Sequence, residues 1–173
     1  EKQVRHVSQH DALTGLHNRA YFEEAMKKVE SGGFDPAGLV ICDVDGLKLI
    51  NDTMGHDSGD NMLIVAARVI KKSFRKNDVV ARVGGDEFAI ILPKTSLEEV
   101  DSICHKVQNA VNEYNTGNLE LPLSISVGFA VRTDSSTSMD DLFREADNSM
   151  YRKKLHSSRS ARSAIVQTLT KAI

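Results

Sequence analysis

The chain is poor in cysteine. Cys42 and Cys104 are its two cysteines, they form no C-x-x-C pair, and both fall within apolar segments. That excludes a disulfide framework and reads as two reduced core thiols in a cytoplasmic protein. No run of about 18 apolar residues occurs, so direct membrane insertion is not expected. The leading EKQVRHVSQH contains no signal-peptide core. A charge excess is missing too: a net charge of −2 over 173 residues argues against nucleic acid or an anionic membrane as the main partner. Internal repeats and low-complexity segments are absent, which excludes a solenoid.

What is present is the composition of a soluble globular domain, 40% apolar and 27% charged, at a length suited to one core. Both ends, EKQVRHVSQH and ARSAIVQTLTKAI, read as helical and run on without punctuation. The expectation is a piece of a longer protein: a helical linker over 1–10, a folded domain over 11–156, and a helical tail over 157–173 leading toward a further domain.

Within the domain, Thr14-Gly15 marks a turn and Asn18 caps a helix through Tyr21, Phe22, Ala25, Met26 and Val29, ended by Gly32-Gly33. GLVICDVD (38–45) is a buried strand with two aspartates at its end. NDTMGHDSGD (51–60) reads as turn-rich and leads into a helix capped by Asp57 or Ser58, with Met62, Leu63, Val65, Ala66, Val69 and Ile70 on its apolar side. Residues 78–83 and 87–92 form a hairpin through Gly84-Gly85, and Pro93 closes it. Capping boxes at Ser96–Glu99 and Ser138–Asp141 open two further helices, the first with an apolar stripe of Val100, Ile103, Val107, Val111 and Tyr114. Between them LPLSISVGFAV (121–131) is a strand. This order gives an α+β fold, one mainly antiparallel sheet covered by helices.

Two acidic pairs stand at strand ends, Asp43 with Asp45 and Asp86 with Glu87. Residues i and i+2 of a strand share a face, so Asp43 and Asp45 project together if the strand continues that far. If strand 38–44 lies beside the hairpin, both pairs meet at one sheet edge. Unpaired carboxylates so close repel one another, and a divalent cation relieves that cost. A few hard oxygen ligands with room for water and phosphate suit Mg²⁺. A calcium loop is excluded, because DVDGLKLINDTM has Leu47 and Lys48 where that loop needs Asp or Asn and then Gly. The turn at Gly46-Leu47-Lys48 exposes successive backbone N–H groups beside a lysine, a cradle for phosphate.

The segments DALTGLHNRAYF (11–22), DVDGLKLINDTMGHDSGD (43–60), RVGGDEF (82–88), SVGFA (126–130) and ADNSMYRKK (146–154) resemble, in order, the motifs of the GGDEF family of diguanylate cyclases. The resemblance covers roughly residues 10 to 155 and makes 11–156 a GGDEF domain. It implies a polymerase-palm, nucleotidyl-cyclase-like core that condenses two GTP into cyclic di-GMP by two-metal phosphoryl transfer across a homodimer, without nucleic acid. The implied metal ligands are Asp43, the Val44 carbonyl and Asp86, for Mg²⁺ with Mn²⁺ as the alternative ion. Asp86, Glu87 and Lys48 carry the implied catalytic roles, Asp86 as proton acceptor. Gly46, Leu47, Lys48, Asn51, His56, Asp60 and Lys154 are the implied substrate contacts. Of these, Asn51 and Asp60 read guanine, since an Asp carboxylate accepts from both N1–H and the 2-amino group.

Arg75-x-x-Asp78, five residues before the double glycine, matches the family's inhibitory product site. An arginine fork suits guanine edges and phosphates. There are departures from the family pattern. Leu47 stands where Phe is common. LHSSR (155–159) replaces the usual Gly-Arg-Asn and final strand, which puts Ser158 at a basic position with Arg159 as a substitute. The alternative function is a catalytically weak or inactive module that binds GTP or cyclic di-GMP as a sensor.

Overall fold

The computed structural model describes residues 9–117 and 121–172, with the side chains of 157–162, 164, 171 and 172 outside that description. Its centre is a four-stranded sheet in the order β2-β3-β1-β4, formed by β1 (Ala37–Val44), β2 (Val79–Arg82), β3 (Glu87–Leu92) and β4 (Ile125–Arg132). Every pairing is antiparallel, as expected of the α+β reading. β1 is buried along its whole length because strands flank it on both sides and helices cover both faces. Val40, Cys42 and Val44 pack in one core layer, against helices α3 (His56–Lys72) and α4 (Leu97–Gly117). Leu39 and Ile41 pack in the other, against α1 (Arg19–Glu30) and the start of α5 (Met139–Ala172). Alternation along one strand thus feeds two cores. Cys42 and Cys104 are both buried and unbridged.

Local signals placed most helix ends correctly. The Asn18 side chain accepts from the Tyr21 N–H at 3.0 Å. Ser96 and Glu99 form a reciprocal box at 3.1 and 3.3 Å, and the Asp141 N–H donates to Ser138 Oγ at 3.1 Å. Three expectations need correction. The segment after β1 is not a loop but an eight-residue helix, α2 (Leu47–Met54), entered through Gly46 in the left-handed region at φ 75°. Poor helix formers at 51–53 are held there because Leu47 and Ile50 bury on the core, and tertiary packing outweighs propensity. With α2 already helical, only Gly55 (φ 94°) separates it from α3, which starts at His56 without a side-chain cap. Asp57 and Ser58 are therefore not N-caps. Finally, β4 begins at Ile125 rather than 121.

The tail expected over 157–173 is not a separate element within the described residues. α5 is one helix of 34 residues, so the 156/157 boundary falls inside it. Its first part lies on the α1 side, while Ile165, 1% exposed, joins the core layer of α3 and α4. The linker helix expected over 1–10 lies outside the described residues except for Gln9 and His10.

At the far end of the sheet Arg132 is fully buried. It donates to Asp35 at 2.8 Å, to Glu30, and to the Thr137 and Val29 carbonyls. Arg132→Met strands these acceptors, and breaking such a buried pair costs about 3 kcal/mol. Thermal denaturation should register a fall of roughly 6–12 °C, and a fall under 2 °C would contradict this role.

Candidate active site

β1 and β3 pair with Asp43 opposite Glu87, and the Val44 N–H donates to the Asp86 carbonyl at 3.0 Å. The sheet therefore brings the two acidic segments together at one edge. Between β2 and β3 the turn is closed by Val83 N–H and Gly84 N–H, both donating to the Glu87 carbonyl at 2.9 and 3.2 Å. Gly84 and Gly85 do not adopt positive φ, and the space where a Cβ of Gly85 would stand is open.

Lys154, from α5, closes the site. Its ammonium donates to Asp43 Oδ2 at 2.6 Å and lies 3.9 Å from Asp86 Oδ2. Gly128 permits this placement: a Cβ there would overlap the Met150 backbone N and stand 2.5 Å from Met150 Cα and 2.7 Å from the Ala146 carbonyl. Helix backbone thus lies directly on strand backbone, one turn before Lys154. Burial pushes the Asp43 carboxyl up to about 7 against the bond from Lys154, and the neighbouring Asp86 adds to the rise. Burial likewise raises Glu87, assisted by Asp147 and Asp86. Burial pulls the Lys154 ammonium down, but its bond to Asp43 together with the charges of Asp43, Asp86 and Asp45 holds it above its ordinary range.

The other acidic residue of β1's end is turned elsewhere. Asp45 does not join Asp43 toward Asp86; its carboxylate accepts from Ser124 Oγ at 2.8 Å and Ser126 Oγ at 2.7 Å. It lies past the last ladder pair, where the alternation rule no longer applies.

Among the described residues no group of three His, Cys, Asp or Glu side chains forms a metal cage. The edge nevertheless fits an ion held by few protein ligands. Asp43 Oδ1 is buried without a hydrogen-bond partner, and a cationic group already sits between Asp43 and Asp86. A buried acceptor left unpaired is costly, and a hard cation would satisfy it.

Beyond Gly46, the N-terminus of α2 presents backbone N–H groups of Leu47 and Lys48 that have no intrahelical acceptor. The Lys48 side chain is exposed. At the α2–α3 corner His56 and Asp60 are exposed, while Asn51 Oδ1 is buried without a partner. Gly59 makes room for that amide, since a Cβ at 59 would overlap Asn51 Oδ1 and lie 2.8 Å from its Cγ. Arg75 and Asp78 sit at the opposite end of β2 from the glycine turn. Arg75 binds both oxygens of Asp78 at 3.0 and 3.2 Å and also reaches Thr95 Oγ1 and Glu99. The Arg75 side chain keeps 44% exposure. Ser158 and Arg159 have side chains outside the described residues.

Sequence reasoning missed several partners of the site. Arg82 donates to the Gly85 carbonyl at 2.8 and 3.2 Å and to both oxygens of Asp11 at 3.2 Å, tying the chain's entry to the glycine turn. Ser124, Ser126, Gly128 and Asp147 also went unnamed. Ser126 opposite Asp43 becomes visible only once the β1–β4 register is known.

Comparison with known proteins follows the same lines. The family described as "Diguanylate cyclase, GGDEF domain" matches residues 8–160. Diguanylate cyclase DgcM of Escherichia coli is 34% identical over 157 residues, covering 89% of this chain and 38% of the relative. Response regulator PleD of Caulobacter vibrioides is 34% identical over 164 residues, 90% of this chain and 35% of that protein. The chain thus spans little more than a third of these relatives. Among solved structures, the coiled coil and GGDEF domain of DgcB from Caulobacter crescentus, in complex with c-di-GMP, superposes with a TM-score of 0.78 at 28% identity. That match covers 90% of this chain and 85% of the other.

Proposed function

The chain belongs to the GGDEF, diguanylate cyclase domain family, and from that premise we propose that it condenses two GTP into cyclic di-GMP and two pyrophosphates. The observation that carries the reading is the meeting of Asp43 and Asp86 at one sheet edge, with an unpartnered Asp43 Oδ1 and the Lys154 ammonium beside them. Each ribose 3′-oxygen attacks the α-phosphorus of the facing GTP. Its proton passes to Asp86, and the bond to the β-phosphate breaks to release pyrophosphate. Asp43, the Val44 carbonyl and Asp86 would hold divalent ions, Mg²⁺ or Mn²⁺, which would supply charge neutralisation on the triphosphate and a lowered pKa for the attacking hydroxyl. Lys154, bonded to Asp43 and 3.9 Å from Asp86 Oδ2, supplies a cation for the phosphates at this edge.

The backbone N–H groups at 46–48 and the Lys48 ammonium cradle the phosphates. Asn51 and Asp60 read the guanine edge, Asp60 as the acceptor, with His56 beside them, and Glu87 stands opposite Asp43 at the acidic edge. One chain binds one GTP, so two copies related by a two-fold axis present the pair head to tail. Arg75, held in orientation by Asp78, binds product and slows the enzyme.

The ionisation of Asp43 gives a test with a definite sign. A carboxyl held up to about 7 in the fold retains its proton where the unfolded chain has lost it. Between about pH 4 and 7 the contribution of Asp43 to the stability of the metal-free fold therefore falls as pH rises. An ion at Asp43 must displace that proton below pH 7 and need not above it. Saturating Mg²⁺ should raise the melting temperature more at pH 8 than at pH 6. Equal gains at both pH values would contradict Asp43 as a ligand.

A further inference from the structure

We propose that Asp45 is a positioning residue of this edge: anchored to two serines of the neighbouring strand, it fixes the direction of the Val44 carbonyl and the Gly46 turn. The inference rests on the diguanylate cyclase reading above. Asp45 follows the last ladder pair, Val44 with Ile125, and precedes the left-handed Gly46, so β1 would fray here without a further hold. Its N–H donates to the Ser124 carbonyl at 2.9 Å. Its two carboxylate oxygens accept one hydroxyl each, from Ser124 at 2.8 Å and Ser126 at 2.7 Å, and the residue is 2% exposed.

The consequence lies in a single peptide plane. The Val44 carbonyl and the Asp45 N–H belong to the same unit, and in a trans peptide they point in opposite directions. With that N–H directed at β4, the Val44 carbonyl faces away from β4, toward the side of β1 where β3 and Asp86 lie. The Val44 N–H is meanwhile bound to the Asp86 carbonyl, so the residue is held from both sides.

The anchor is itself firm. Asn115 of α4 exchanges two hydrogen bonds of 2.8 Å with the Leu123 backbone, and Gln108 donates to the Ile125 carbonyl at 3.2 Å. A carboxylate suits this place because it offers two acceptors and no donor to two hydroxyls that both donate.

Two variants separate position from charge. Asp45→Asn removes a charge and one acceptor; Ser126→Ala removes one anchor and leaves the charge. Mn²⁺ binding, read by electron paramagnetic resonance, should weaken at least ~10-fold in both variants, the loss typical of a ligand's supporting partner. Turnover number should fall by at least ~10-fold with KM for GTP changed less than ~3-fold, since positioning acts on the reacting geometry. Arg132→Met, destabilised far from the edge, should keep wild-type Mn²⁺ affinity. Losses in Asp45→Asn alone would reduce the effect to charge and overturn the proposal. So would Mn²⁺ affinity and turnover within twofold of wild type in both variants, or an equal loss of affinity in Arg132→Met. A wild-type chain that bound no Mn²⁺ would overturn this inference together with the metal reading on which it rests.

Discussion

Asp86→Ala should lower formation of cyclic di-GMP from GTP by at least ~10³-fold, because one substitution removes both a proposed metal ligand and the proposed proton acceptor. The fold should survive. The Asp86 side chain is 43% exposed, and the bond that joins its turn to β1 runs from the Val44 N–H to a backbone carbonyl that alanine retains. The Asp43–Lys154 pair at 2.6 Å also remains. Asp86 is one of the charges that raise the Asp43 carboxyl, so its removal relieves a repulsion at the edge. The melting temperature should change little, the relieved repulsion being offset by the lost approach of Lys154 to Asp86, while product disappears. Asp86→Asn should be as inactive, since an amide keeps the shape but takes no proton. Chromatographic quantification of cyclic di-GMP decides the matter, and a rate within tenfold of wild type would remove Asp86 from the chemistry.

The second large effect is expected at Gly128, a residue that touches no proposed ligand. A methyl group there meets backbone atoms of Met150 and Ala146, which can yield only if α5 lifts from the sheet. Overpacking of this kind costs roughly 1–3 kcal/mol, about 2–4 °C of melting temperature for each kcal/mol in a chain of this size. The functional loss should exceed the structural one. Met150 is one turn before Lys154, so lifting the helix draws the ammonium from Asp43 Oδ2. A shift of about 1 Å at a reacting centre can cost ~10²-fold. Gly128→Ala should thus fold, melt lower, and turn over at least ~10²-fold more slowly. Activity within threefold of wild type would show that contact between α5 and β4 does not set the site.

These two residues also mark what sequence reading can reach. Asp43 and Asp86 were legible because carboxylates at the ends of apolar strands break an expected pattern. Their meeting was expected on the condition that strand 38–44 lay beside the hairpin, and the β1–β3 pairing meets that condition. The apolar stripe of α4 and the caps at Asn18 and Ser96 were equally plain, each being a contact within a few residues. Asp45 was expected beside Asp43 only if the strand continued that far, and the ladder ends one residue short of it. α2 was missed because its stability comes from Leu47 and Ile50 on a distant core, not from the residues at 51–53. Gly128 gave no local sign, as its constraint is a helix that arrives some twenty residues later. Arg132 likewise has partners more than ninety residues upstream, at Val29, Glu30 and Asp35.

The central claim is that two copies of this edge, each holding one GTP, make cyclic di-GMP. The chain joined at its N-terminus to a dimerising coiled coil, supplied with GTP and Mg²⁺, tests it most directly, with nucleotides resolved by chromatography and pyrophosphate measured in parallel. The account predicts cyclic di-GMP and pyrophosphate in a ratio of one to two, abolished by Asp86→Ala. Intact GTP after prolonged incubation, with cyclic di-GMP bound tightly by the wild type and lost in Arg75→Ala, would contradict it and identify a sensor instead.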